Sequence, residues 1–415
     1  MRIKYFYLVS SFALTIVLLL IGSPGFSLSK AMFGIFLPNE KIVFMFLTFF
    51  LIRYKEKINK QFKILITYSL YVFTIYLIYF LLREFFFEIP ITTPNVNHFL
   101  GLISTILLGS YLSLFSKEKI TRGLLYSLIF QLIISGLQLY FILSGNYLIF
   151  TKFNNHYSQC FACANTFAAQ TLYGLPRIQG LFNEASGLSA FSGVTLIYSL
   201  SSLKFFKSSK LIPNYFLRDK YLSFDKQNLT NFLLIIFSLI GLLISLSTTG
   251  ILIVAIFLFI MSVEKFIQDG GKTNLYLILL FLIGLFISSR LQVFELLYNT
   301  FFGSERLKQT ISKFNYTLGE SDSVFFLGTK ASWTNATWDS ITRYIQVFGL
   351  FGSIPQWIII FYLIFQRNFL FSVSVFPLFL SNSPLSMGHS ILILGLIINI
   401  NFSKIKTKIF SDNKI

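Results

Sequence analysis

The sequence predicts an all-α protein, a single polytopic bundle of about twelve membrane helices over residues 1–415, on three observations. Only 12% of the 415 residues are charged and 55% are hydrophobic, where a soluble domain carries about 25% charged residues. The apolar residues gather in runs long enough to cross a bilayer, which takes roughly 17–25 residues. The basic residues collect in alternate connections between those runs, as the positive-inside rule requires.

The runs lie near residues 5–22, 31–52, 64–82, 99–115, 123–143, 184–203, 230–247, 249–264, 275–290, 341–365, 369–385 and 388–402. Pro38, Glu40 and Lys41 interrupt the second. The first follows Arg2 and Lys4, a pattern shared by signal peptides and first membrane helices. The many spans downstream favour an uncleaved helix. Pro355, after Gly349 and Gly352, predicts a kink in the tenth run, with Ser353 able to satisfy a freed backbone group. Two cysteines cannot form a disulfide framework. Cys160 and Cys163 make a CxxC after His156, which reads as a local disulfide or, less well supplied with ligands, a metal site.

A net charge of +18 suggests nucleic acid only until the charges are located. With both termini in the cytoplasm, the inner connections hold 23 of the 34 basic residues. Among them are Arg53, Lys55, Lys57, Lys60 and Lys63, then Lys117, Lys119 and Arg122, then six more between Lys204 and Lys226. The inner side is then +16 and the outer side +2. Two outer loops are long, Ser144 to about Asn183 and Leu291 to Ser340. They contain Trp333, Trp338, several tyrosines and charges of both signs, unlike a low-complexity linker. Long ordered loops of this kind usually carry function.

Arginines on the outer side run against the charge rule and are therefore informative. Arg177, Arg306 and Arg343 lie in or beside the long loops, with Lys308, Lys313 and Lys330 nearby. A guanidinium fork matches phosphate geometry, so they suit a lipid diphosphate at the outer face. The plainer alternative makes them interfacial anchors or partners of Glu305, Glu320 and Asp322. In Arg177-Ile178-Gln179-Gly180-Leu181-Phe182-Asn183-Glu184-Ala185-Ser186, a helix from about Arg177 would put Arg177, Gly180 and Glu184 on one face. Gly180 would admit a ligand or another backbone, and Glu184 would lie where an ionisable group is costly. An ion pair between Arg177 and Glu184 that fixes the loop is the alternative. Asp339 stands where the second loop enters a helix, with Arg343 at i+4 and Gln346 at i+7. It reads either as a helix cap with a local ion pair or as a carboxylate that orients or deprotonates a hydroxyl.

The segment RIQGLFNEAS resembles the Arg-x-x-Gly-x-Phe-x-Glu-Pro-Ser signature of the Wzy-type O-antigen polymerase family, departing from it at Ala185. Ser247-Thr248-Thr249-Gly250 is similar to the family's Ser-rich turn, without the Arg common there. Thr337-Trp338-Asp339-Ser340 followed by Val347-Phe348-Gly349-Leu350-Phe351-Gly352 resembles its Asp-Ser element and following Gly-x-x-Gly helix. The resemblance implies a many-helix membrane fold with two functional periplasmic loops. It also implies polymerisation of oligosaccharide repeats carried on undecaprenyl diphosphate, at the outer face of a bacterial inner membrane. Arg177, Gly180, Arg306 and Arg343 would then bind substrate, and Glu184 or Asp339 would act as base or sugar orienter. No cofactor and no metal is expected. The partners would be the lipid-linked glycan, the bilayer and a chain-length regulator protein, with no nucleic acid. An O-antigen ligase shares the fold and donor but typically carries a His in the second loop, and residues 291–340 contain none. A lipid-linked oligosaccharide flippase would have short outer loops.

Overall fold

A computed structural model describes residues 60–86, 88, 91, 103, 117–144, 171–172, 175–176, 178, 180, 182, 185–202, 226–245, 250–251, 253–260, 312, 326–328, 345 and 348–354. Among them regular structure is helical apart from one short hairpin. The chain divides into two compact units. One comprises Met1–Val43 with Ser116–Leu291, the other Phe44–Phe115 with Gln292–Ile415.

In the first unit α2 spans Lys117–Leu143, α3 Ala185–Ser202 and α4 Lys226–Ser245, numbered after α1 (Lys60–Leu81) in the other unit. Helix α4 packs along both α3 and α2. The seam is built from small and hydroxylated residues. Thr195 Oγ1 and Ser238 Oγ are 2.9 Å apart, and Ser199 Oγ donates to the Asn231 carbonyl at 2.9 Å. A Cβ added to Gly241 would fall on Ser192, and one added to Gly193 would lie 3.0 Å from the Gly250 carbonyl oxygen. Between α2 and α3 the strands β1 (Thr171–Leu172) and β2 (Leu175–Pro176) pair antiparallel, Thr171 with Pro176 and Leu172 with Leu175. The register leaves only Tyr173 and Gly174 between them.

In the second unit α1 spans Lys60–Leu81 and continues into a π-helical turn, Leu82–Phe86. Glu88 beyond it has a left-handed backbone, φ 52°. Many residues of α1 are β-branched or aromatic, which lowers helix propensity in water. A wide arc of the helix is nevertheless apolar and outward-facing: Leu70, Tyr71, Phe73, Ile75, Leu77, Ile78 and Leu81 are all exposed. Val72, Tyr76, Tyr79 and Phe80 form its buried stripe. Tyr76 packs edge-on against Phe348, 6.2 Å between ring centres.

Four helices start earlier or end sooner than their apolar runs suggest. The runs at 64–82, 123–143, 184–203 and 230–247 become Lys60–Leu81, Lys117–Leu143, Ala185–Ser202 and Lys226–Ser245. Three of them open on a polar turn of Lys, Gln or Glu, good helix formers that an apolar criterion cannot see. The Glu118–Arg122 ion pair at i, i+4 braces one such turn. Among the described residues one helix, Glu118–Leu143, is long and apolar enough to cross a membrane, and Gly187–Leu200 and Leu229–Ser245 are shorter apolar helices. The runs at 5–22, 31–52, 275–290, 369–385 and 388–402 lie outside the described residues, as does 99–115 apart from residue 103.

Candidate functional site: two helix ends that hold loop backbone

The RIQGLFNEAS segment does not enter its helix at Arg177. Helix α3 begins at Ala185, and Gly180 is in a turn with φ 60°. The expectation that residues 177, 180 and 184 share one helical face is therefore corrected. A left-handed residue cannot continue a right-handed helix, and the chain arrives from the extended strand β2. Asn183 and Glu184 are residue types that favour the start of a helix just after them.

Gly180 is seated on α2. Its N–H donates to Gln138 Oε1 at 2.9 Å. A Cβ at this position would lie 3.0 Å from both Gln131 Oε1 and Ser135 Oγ, and 3.6 Å from the Gln131 carbonyl oxygen. The close neighbour that glycine admits is thus helix α2. Gln131, Ser135 and Gln138 fall at i, i+4 and i+7, one stripe of the helix, and all three are buried. Ser135 Oγ has no hydrogen-bond partner among the described residues. On either side of Gly180, Ile178 and Phe182 are buried too. Phe182 packs on Phe191 at 5.6 Å, over Gly187, where a Cβ would come within 2.9 Å of the Phe182 ring.

Gly250, the described residue of the Ser247–Gly250 segment, meets helix α3. Gly250 N–H donates to Ser189 Oγ at 2.9 Å, and a Cβ on Gly250 would collide with the Ser189 carbonyl. Two of the three signature segments therefore converge on the first two turns of α3. In the second unit, Gly349 (φ 68°) lies against the backbone of Phe326 and Gly328, and Tyr76 donates its hydroxyl to the Gly352 carbonyl at 2.7 Å. The left-handed backbone of Gly349 departs from helical dihedrals. Ser353 Oγ donates to the Leu350 carbonyl at 2.9 Å. Pro355 lies outside the described residues.

Gly180 is the one candidate site residue among the described positions. Arg177, Glu184, Arg306, Asp339 and Arg343 lie outside them, as do Lys330, Trp333, Trp338, His156, Cys160 and Cys163. Two features went unread in the sequence. Gln131 and Gln138 are polar residues seven apart inside the apolar run at 123–143, a signal that marks a polar face. Arg83, at the end of the run at 64–82 that the charge pattern would place outside, meets the same criterion that singled out Arg177, Arg306 and Arg343. Comparison with protein-family models, with curated proteins and with solved structures finds no match.

Proposed function

We propose that the chain is a membrane-embedded glycosyltransferase that polymerises undecaprenyl-diphosphate-linked oligosaccharide repeats into O-antigen or capsule-type polysaccharide. The proposed setting is a bundle of about twelve helices in a bacterial inner membrane, with both termini cytoplasmic and the two long loops outside. The membrane part is supported by the outward-facing Leu, Ile and Phe side chains of α1 and by the serine-rich seam of α3 and α4. Helices surrounded by lipid associate through small residues and hydroxyls, because apolar contacts between them gain little over contacts with lipid.

The observation that carries the enzymatic part is the RIQGLFNEAS segment. Its Gly180 turn is fixed to α2 by a buried glutamine at the mouth of α3. A junction held this way gives Arg177 and Glu184, three and four residues from Gly180, a rigid base. Rigid support is what a diphosphate-binding fork needs. In the proposed reaction a hydroxyl on the distal sugar of a single lipid-linked repeat attacks the anomeric carbon of the growing chain. The bond from that carbon to the diphosphate oxygen breaks, and undecaprenyl diphosphate leaves. The hydroxyl proton passes to Glu184 or Asp339. Arg177, Arg306 and Arg343 stabilise the charge gathering on the diphosphate. A chain-length regulator is the expected protein partner.

Deleting the gene and resolving surface glycan on a gel tests this reading. Glycan reduced to a single repeat supports a polymerase. Loss of all attached glycan points to a ligase instead, and an unchanged ladder refutes both.

A further inference from the structure

Arg83 is the one buried charged side chain among the described residues, 1% exposed, in the π-helical turn that ends α1. Its neighbours Phe85 and Phe86 are each 75% exposed, so the turn directs the cation inward and the rings outward. π-Helical turns within helices are frequent at functional positions. Arg83 Nη1 donates to the Tyr79 hydroxyl oxygen at 3.1 Å. Tyr79 donates in turn to the Leu327 carbonyl at 2.6 Å. The direction of this chain is forced. A guanidinium has only donors, so the Tyr79 oxygen must accept from it and turn its single proton toward Leu327.

Phe326 and Leu327 are helical and fall within residues 291–340, the stretch expected to form the second outer loop, and the segment 326–328 is held by a further element as well. Phe326 stacks on Phe351 at 5.2 Å, and Gly349 packs on the Phe326 carbonyl. We propose that Arg83 and Tyr79 are positioning residues, a buried relay that fixes residues 326–328 and thereby supports the proposed reaction. The catalytic half of this inference rests on the polymerase reading. The mechanical half, that the relay immobilises 326–328, does not.

The test uses the purified full-length protein with lipid-linked repeats as substrate. Tyr79→Phe removes one hydroxyl and keeps the ring. It is expected to lower kcat about tenfold with the donor KM held within about twofold, and to speed backbone amide exchange at 326–328 by about tenfold. Arg83→Lys should keep most of the rate, because an ammonium can also donate to the Tyr79 oxygen. Arg83→Met should match Tyr79→Phe, and the double variant should be no worse than Tyr79→Phe alone, as for two members of one unit. A plain structural role would lower melting temperature without the kcat-against-KM split and without rescue by Lys. Unchanged exchange at 326–328 in Tyr79→Phe overturns the relay, as does a double variant whose losses multiply. Faster exchange with an unchanged kcat overturns the positioning role. A folded wild-type protein that extends no chain overturns the polymerase reading and the kinetic half, while exchange still decides the mechanical half.

Discussion

Replacing Gly180 by alanine adds one methyl group at the most constrained point of the loop-to-helix junction. The backbone there is left-handed, φ 60°, which costs an L-residue roughly 1–2 kcal/mol. The methyl would lie 3.0 Å from Gln131 Oε1 and from Ser135 Oγ, both on a buried helix face. Overpacking of this kind costs about 1–3 kcal/mol. Together these come to about 2–5 kcal/mol, against a total stability of about 5–15 kcal/mol for a typical domain. The variant should lose melting temperature in detergent, and its glycan should shorten at matched membrane abundance. Gly180→Asn separates the two causes. Asparagine tolerates left-handed backbone but is bulkier than alanine. If strain dominates, Asn outperforms Ala; if packing dominates, Asn is worse. An alanine variant with wild-type melting and wild-type glycan would refute the seating of Gly180 on α2.

The remaining predictions concern the loops and the orientation. Arg177→Lys should lose polymer if Arg177 binds diphosphate bidentately, whereas an anchoring arginine would tolerate Lys; glycan length at matched abundance decides. Asp339→Asn keeps the capping ability and removes the charge, so shortened polymer assigns Asp339 to chemistry and normal polymer assigns it to a cap. Chain extension by purified protein should survive a chelator, and activity that vanishes and returns with a divalent ion would defeat leaving-group stabilisation by arginine. Reporter fusions should place Lys220 inside and Lys330 outside, and the reverse at either position would sink the orientation.

What the sequence made legible follows from how each signal is encoded. Apolar runs located helices α1 to α4 to within a few residues, because the runs are long and uninterrupted. The polar first turns at Lys60, Lys117 and Lys226 were missed because hydrogen bonding carries a helix past the end of its apolar face. The Thr171–Pro176 hairpin was missed because two residues per strand give alternation nothing to repeat. Gly180 stood out as a glycine where close approach matters. Its partner did not, since Gln131 and Gln138 precede it by about forty to fifty residues and spacing within one helix says nothing about contacts to another. Helical phase from Arg177 failed because it assumed that the helix starts where the motif starts. Left-handed backbone at Gly180 moves the start to Ala185.

The polar side chains on these apolar helices follow one logic. Gln138 accepts from the Gly180 N–H, Ser189 accepts from the Gly250 N–H, and Tyr79 donates to the Leu327 carbonyl. Each partner is a backbone group of another segment: Gly180 in a turn, Gly250 and Leu327 in helical backbone. Such backbone cannot be left unsatisfied in an apolar surrounding, where every free N–H or carbonyl is costly. A glutamine, serine or tyrosine at the right turn of a helix is therefore a marker of where backbone from another segment packs against it. Gly180 is three residues from Arg177, and Leu327 is three residues from Lys330. If Arg177 and Lys330 bind a diphosphate, as proposed, a fixed point three residues away lowers the entropic cost of ordering them around it.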